Sequence, residues 1–294
     1  MVNGLVVDTG RNIMLDRTFN LNPTRTHITK FKVGIGTTEP TLADTDLESP
    51  VTISGIETVD DFETADWTDS ADMTSSLNST LFKENANSLN LVKDGTASTD
   101  ANISKTTTSV DFTDKQLSFW LYVKDATALA KLATTGLIVR FGSDASNYYQ
   151  WDIASSTLTA GQWNFVDDLT SANATSTTGT PTLTACDYSF IQLVATGTAV
   201  VWSAGDFMID YLFVASDDDF VKNFETDYPV FDYTNNEVTI RCRLATTDSN
   251  SFPLTEFGLF NTDTTALMDS RNKFSQISKT LNDEVIFIVK NRIQ

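Results

Sequence analysis

The feature that most constrains this chain is a succession of short apolar runs, rich in β-branched and aromatic residues, with no long helical stretches between them. The runs occupy Leu117–Val123, Leu137–Phe141, Tyr148–Ile153, Trp163–Leu169, Phe190–Val194 and Phe207–Val214. They continue through Glu237–Leu244, Thr255–Phe260 and Val285–Val289. Alternation of this kind sends successive side chains to opposite faces of a strand. The intervening segments are turn chemistry, as in TSANATSTTGTPT over 170–182. Only Asp125–Leu132 (DATALAKL) reads as helical, and it is short. Regularly spaced strands without alternating long helices predict an all-β chain of antiparallel β-sandwiches, not a nucleotide-binding α/β sheet.

One stretch tests that exclusion. KVGIGTTEPTLADTDL, Lys32–Leu47, carries two glycines in the manner of a phosphate-cradling loop. Such a loop needs a helix starting at the glycines, because the free N–H groups of the helix N-terminus hold the anion. Here TTEPTLADTDLESP follows, with Pro40 and Pro50, no helical periodicity and no Walker lysine. Gly34 and Gly36 read instead as relief of crowding where an Ile28–Val33 strand ends and the chain turns.

Catalysis finds no better support. The single histidine, His27, lies in Thr24–Thr29 ahead of that strand, and no GxSxG elbow occurs. Cys186 and Cys242 fall in strand-like runs and read as two buried thiols. The 39 acidic residues supply carboxylate pairs in abundance, which is no evidence for glycosidic cleavage. No enzyme and no catalytic residue are expected.

Those 39 acids face 20 lysines and arginines, for a net charge of −19. Such a surface repels the phosphates of DNA and RNA and anionic membranes, so no nucleic-acid partner is expected. No apolar run reaches the ~18–20 residues of a membrane span. MVNGLVVDTGRNIML at the start has no basic segment ahead of a long apolar one, so synthesis in a cytoplasm without a secretory signal is expected.

The charge is unevenly distributed. Basic residues, among them Arg11, Arg17, Arg25, Arg241, Arg243, Arg271 and Arg292, gather in the terminal parts, whereas the centre is poor in arginine and rich in Ser, Thr, Asp and Ala. The contrast predicts one domain inserted into another. Residues 1–58 with 217–294 would form a discontinuous β-sandwich host domain, and 59–216 an inserted jelly-roll β-sandwich.

The terminal parts contain TGRNIMLDR (Thr9–Arg17), VGIGTTEPTLADTDL (Val33–Leu47), EVTIRCRL (Glu237–Leu244), TEFGLFN (Thr255–Asn261) and ALMDSRNKFSQISKTLNDEVIFIVK (Ala266–Lys290). In order and character these resemble a module of tailed-bacteriophage virion proteins, in which a GRN segment is followed by a strand. The resemblance implies a virion structural protein (a capsid decoration, fibre or tail component) assembled in the host cytoplasm. It implies other virion proteins as partners and a homo-oligomer, a trimer being favoured.

The centre runs through DDFETADW (Asp60–Trp67), NSLNL (Asn87–Leu91), LSFWLYVKD, IVRFGSDASNYYQWDI, LTAGQWNFVDDL and GDFMIDYLFV. These resemble, in order, the strands of a jelly-roll module of the carbohydrate-binding or lectin type. In such modules the first and last strands lie side by side, and carboxylates there hold a structural Ca²⁺, which implies Asp61, Glu63 and Asp210 as metal candidates. The alternative is that these are ordinary solvated acids.

Within NYYQW, Tyr149 and Trp151 point to one face of a strand, and Tyr148 and Gln150 to the other. One pair faces outward, or to an edge, if the other fills the core. Exposed aromatic faces stack on sugar rings, so Tyr149 and Trp151 are carbohydrate-binding candidates, with Asp144, Asn147 and Gln150 nearby to hydrogen-bond hydroxyls. The competing reading makes Trp120, Trp151 and Trp163 core residues.

The leading expectation is therefore a non-enzymatic virion structural protein, anchored by its split terminal domain and exposing a jelly-roll that touches a host surface glycan. The alternatives are a glycan-binding host-adsorption protein and a glycan-degrading tailspike. The last lacks the repetitive strand solenoid usual in such enzymes.

Overall fold

The structure, a computed structural model, describes residues 5–51, 54–95, 100–216, 220–246, 248–249, 252–263, 266–280 and 282–292. The chain opens with β1 (Leu5–Val6), α1 (Asp8–Phe19) and β2 (Ile28–Gly34). It continues through β3 (Ser54–Asp60), β4 (Thr68–Asp69), β5 (Met73–Asn78), β6 (Ser88–Lys93), β7 (Asp100–Val110) and β8 (Lys115–Val123). Then follow α2 (Ala126–Leu129), β9 (Leu132–Asp144), β10 (Asn147–Ala154), β11 (Gln162–Thr170), β12 (Ser176–Thr178), β13 (Cys186–Ala195) and β14 (Phe207–Ser216). The last part holds β15 (Val221–Asn223), β16 (Val230–Asp232), β17 (Glu237–Leu244), β18 (Pro253–Asn261), β19 (Met268–Ser278) and β20 (Val285–Arg292). The backbone divides into two compact units, one of Met1–Gly55 with Asp218–Gln294 and the other of Ile56–Asp217.

The continuous unit is a jelly-roll β-sandwich. One sheet runs β12-β10-β9-β13-β7-β4, and the other β11-β8-β14-β6-β5 with β3 also on β14. Alternation decides the rest. Leu137, Val139, Phe141, Trp151, Ile191 and Leu193 of the first sheet face Leu89, Leu117, Phe119, Leu121, Ile209 and Val214 of the second, in one buried core. The helix expected over Asp125–Leu132 is cut to α2. The Asp125 carboxylate accepts from the Ala128 N–H at 2.8 Å and starts the turn. Buried Leu132 already belongs to β9, because its side chain is worth more in the core than in a further helical turn.

The discontinuous unit is also a β-sandwich, with sheets β1-β19-β18-β2-β15 and β16-β17-β20. Phe257 of β18 stacks on Phe287 of β20 at 4.8 Å, and Phe274 of β19 meets the same ring at 5.5 Å. The strand expected after the GRN segment is β2, but the segment itself corrects another expectation: only Asp125–Leu132 read as helical, and the structure also has α1 here. Among the described side chains of the helix Gly10 and Ile13 are the buried positions, three residues apart on one helical face, while Met14 and Leu15 are exposed. Gly10 lies so close to the Asp269 backbone that no Cβ fits, and the Thr9 hydroxyl donates to the Met268 carbonyl at 2.6 Å. Tethering to β19 fixes this helix; its apolar periodicity is too weak to announce it.

The VGIGTTEPTLADTDL stretch wraps an internal ion cluster. Arg271, 3% exposed, donates from Nε to Glu256 Oε2 at 2.8 Å and from Nη1 to Asp44 Oδ2 at 2.8 Å. Fully buried Glu256 in turn accepts from the N–H groups of Ser49 at 2.8 Å, Gly36 at 3.1 Å and Glu48 at 3.1 Å. The chain's own carboxylate thus takes the backbone donors that a phosphate loop would offer to an anion. A Cβ at Gly34 would stand 2.5 Å from Glu256 Oε1 and from the Ser49 carbonyl oxygen, so the glycine is there for close approach.

Candidate functional site

The outward face of the β12-β10-β9-β13-β7-β4 sheet holds an ordered aromatic and polar surface. Tyr149, Trp151 and Ile153 of β10 pack on the core, so Tyr148, Gln150 and Asp152 point away from it. Register then assembles rows across the sheet. Tyr148 is opposite Gly142 of β9, and Gly142 is opposite Tyr188 of β13. Gln150, Arg140 and Phe190 form the next row, and Asp152, Ile138 and Gln192 the one after.

Because Gly142 has no side chain, the two tyrosines meet across it, with ring centroids 6.2 Å apart and planes at 41°. The Arg140 guanidinium lies over Phe190 at 4.3 Å and over Tyr148 at 5.0 Å. Its Nε donates to Gln150 Oε1 at 2.8 Å, and Gln150 Nε2 donates to Asp152 Oδ1 at 2.9 Å. Tyr148, Tyr188, Arg140 and Gln150 are half-buried and Asp152 is exposed, whereas Phe190 is 8% exposed. Burial pushes the Tyr188 phenol up against the opposing pull of Arg140, so its hydroxyl stays protonated and able to donate.

The residues singled out in the sequence fall elsewhere, with one exception. Trp151 is a core residue, 3% exposed, and its indole N–H donates to the Thr170 carbonyl at 3.1 Å and Asn173 Oδ1 at 3.0 Å. Phe112 packs edge-on against it at 6.2 Å, and half-buried Tyr149 lies beside both. The expected sugar-facing pair is therefore the inward pair. Asp144 and Asn147 shape the β9–β10 turn: Asn147 Nδ2 donates to Asp144 at 2.9 and 3.0 Å, and Asn147 Oδ1 accepts from the Thr180 N–H at 2.7 Å. The Asn147 amide is the main cause holding the Asp144 carboxyl below its usual range. Gln150 alone of the five stands on the outward face.

Unlike Trp151, Trp120 and Trp163 are not part of the core between the two sheets. They lie on the outward side of the second sheet, where Trp120 meets Phe165 at 4.7 Å and Trp163 meets Tyr122 at 5.4 Å. The 79–87 loop covers part of that face, with Lys83 Nζ 4.1 Å above the Trp120 ring.

The three acids expected to hold calcium organise that same region. Asp210 Oδ2 accepts from the N–H groups of Lys83 at 2.6 Å and Glu84 at 3.0 Å. Glu63 accepts from the N–H groups of Ala86 and Asn87 and from the Asn87 side chain, all at 2.8–2.9 Å. Asp61 accepts from the Glu63 N–H at 3.2 Å. Backbone N–H groups hold Asp210 Oδ2, Glu63 Oε1 and Asp61 Oδ1, while Asp210 Oδ1 is buried without a hydrogen bond. Among the described residues no group of three His, Cys, Asp or Glu side chains is arranged to hold a metal ion. Burial is the main cause pushing Asp210 up to about 7.

In the other unit His27 sits against the Arg17 guanidinium. Cys186 and Cys242 are both buried, unpaired thiols, and burial pushes Cys186 up to about 11, far from the thiolate a nucleophile needs. The residues that sequence reasoning missed are Arg140, Tyr148 and Tyr188. A signal was present: IVRFG and DYSFIQL alternate with period two, so Arg140 and Tyr188 each share a strand face with other non-core positions.

No protein-family model matches this sequence, and neither does any curated protein. Among solved structures, the chain is similar to a family 11 carbohydrate-binding module from Clostridium thermocellum in complex with a β-1,3-1,4-mixed-linked tetrasaccharide. There the identity is 13% and the TM-score 0.40, over 56% of this chain and 98% of that one. It is also similar to the CBM22-1 xylan-binding domain of Paenibacillus barcinonensis Xyn10C, at 14% identity and TM-score 0.34, over 58% of this chain and 99% of that one.

Proposed function

We propose that the protein is a non-catalytic carbohydrate-binding protein that reads a glycan across the outward face of the β10-β9-β13 strands. The observation that carries this reading is the row structure itself. Two half-buried tyrosines stand side by side, and next to them an Arg140–Gln150–Asp152 chain of hydrogen bonds presents donors and acceptors at fixed positions. Aromatic rings supply flat apolar area for the C–H face of a pyranose, and the polar chain supplies partners for its hydroxyls. Existing hydrogen bonds hold these side chains in place, which lowers the entropic cost of ordering them on binding. The net charge of −19 favours neutral over anionic glycans.

The test is an array of neutral glycans probed with the full chain and with Tyr188→Ala. Saturable binding that falls about tenfold or more in the variant supports the reading. A blank array, or equal binding by both proteins, overturns it.

The resemblance of the terminal segments to virion modules supports a setting for this activity: a particle-surface protein whose discontinuous unit attaches it and whose jelly-roll meets the host. In that setting a chain lacking 59–216 still enters particles. Loss of incorporation, with 59–216 alone retained, would reverse the roles of the two parts.

A further inference from the structure

Among the described residues β20 pairs with β17 alone, and its other side is the end of a three-stranded sheet. Exposed edges are normally short, charged at the centre or covered, because their unpaired N–H and C=O groups template further pairing. This edge is eight residues long, and its first five read VIFIV. Ile286 is 40% exposed and Ile288 62%. The inward side chains Val285, Phe287 and Val289 are only half-buried, although Phe287 stacks on Phe257. Among the described residues no strand beyond the edge completes their burial.

The outward row along this edge reads Glu284, just ahead of the strand, then Ile286, Ile288 and Lys290. Turned end for end about Phe287, the row falls on itself with its charges exchanged: isoleucine opposite isoleucine, and Glu284 opposite Lys290. The inward row does the same, with Val285 opposite Val289. A segment such as 284–290, symmetric in shape and opposite in charge about Phe287, is complementary to its own copy under a two-fold axis. The end charges keep partners in their own chain, Arg243 on Glu284 and Glu237 on Lys290. Pairing would therefore line up Arg243, Glu284, Lys290 and Glu237 in alternating sign across the junction.

We infer that β20 is a homodimerisation edge, on which a second copy of this chain adds its own β20 antiparallel about a two-fold axis at Phe287. The two three-stranded sheets then become one continuous sheet. Charge matching within the single segment 284–290 picks out a copy of itself as the occupant. The inference stands apart from glycan binding, which concerns the other unit.

The experiment measures the mass of the full chain by sedimentation and oxidises an Ile286→Cys/Ile288→Cys double variant. Both positions are exposed, and the natural cysteines are buried and so add little background. The expected result is a dimer that the double variant locks covalently, with about tenfold less crosslinking for Ile286→Cys alone. Ile288→Lys should raise the dimer dissociation constant about tenfold or more at an unchanged melting temperature. A chain that is monomeric at every concentration, a trimer, or a dimer that the paired cysteines fail to lock overturns the inference. If Ile288→Lys misfolds, mass and crosslinking still decide.

Discussion

The inserted sandwich has two outward faces, both rich in aromatic rings, and the chain treats them differently. On the second sheet Trp120 and Phe213 are 6% and 1% exposed. There the 79–87 loop is pinned by Asp210 and Glu63 and sets Lys83 over the Trp120 ring. On the first sheet Tyr148 and Tyr188 stay half-buried, and their polar neighbours hydrogen-bond along the face, with Asp152 exposed at the end of the chain. Aromatic density therefore does not mark a ligand surface. The proposed ligand surface differs in having rings that the protein's own loops leave accessible, beside polar groups already held in place.

The comparison can be broken from its inner side first. Trp151→Ala removes a core ring and its two hydrogen bonds, and should cost about 3–5 kcal/mol, read as a lower denaturant midpoint. A loss below about 1 kcal/mol would mean that Trp151 is not core and that the faces have been assigned the wrong way round.

The roofed face is sharpened by pH. Asp210 is raised in the folded state, so its buried charge weighs against folding once it ionises. Stability is greatest below the ordinary carboxylate pKa and is lost as pH rises through about 7, by at most about 4 kcal/mol. Asp269 of the other unit, pushed up to about 6 by burial, acts in the same direction. Urea titrations from pH 4 to 8 should show this decline, and Asp210→Asn should flatten part of it. An unchanged slope would remove Asp210 from the account.

Smaller effects separate the two faces by function. Lys83→Ala removes a cation from a ring and should cost about 0.5–1 kcal/mol of stability without altering glycan binding. Tyr148→Ala should behave in the opposite way, with a melting temperature near that of the native chain and weakened binding. Chelation by EDTA should leave the melting curve where it is, since backbone N–H groups already hold Asp210 Oδ2, Glu63 Oε1 and Asp61 Oδ1. A drop of several degrees would bring calcium back to those acids.

Much of this architecture was legible in the amino-acid order, because period-two alternation in stretches such as LSFWLYV and IVRFG has few other solutions. The site was only half legible. NYYQW shows that Tyr148 and Trp151 face opposite ways, yet either direction suits a strand with rings on both sides. The choice depended on long-range pairing, which sets Tyr188 beside Tyr148 across Gly142 and Phe112 beside Trp151. Helix α1 left almost no apolar trace, since tight contact with β19 holds it. In a sequence, an acid that accepts backbone N–H groups, as Asp210 and Glu63 do, is indistinguishable from one that accepts a cation.

The claim that the Tyr148–Tyr188 face binds sugar is tested most directly by affinity electrophoresis through gels containing soluble neutral polysaccharides. The account predicts that at least one polysaccharide retards the native protein, while a Tyr148→Ala/Tyr188→Ala variant with the same melting temperature runs as in an empty gel. Unretarded migration of the native protein in every gel, or equal retardation of both proteins, would contradict it.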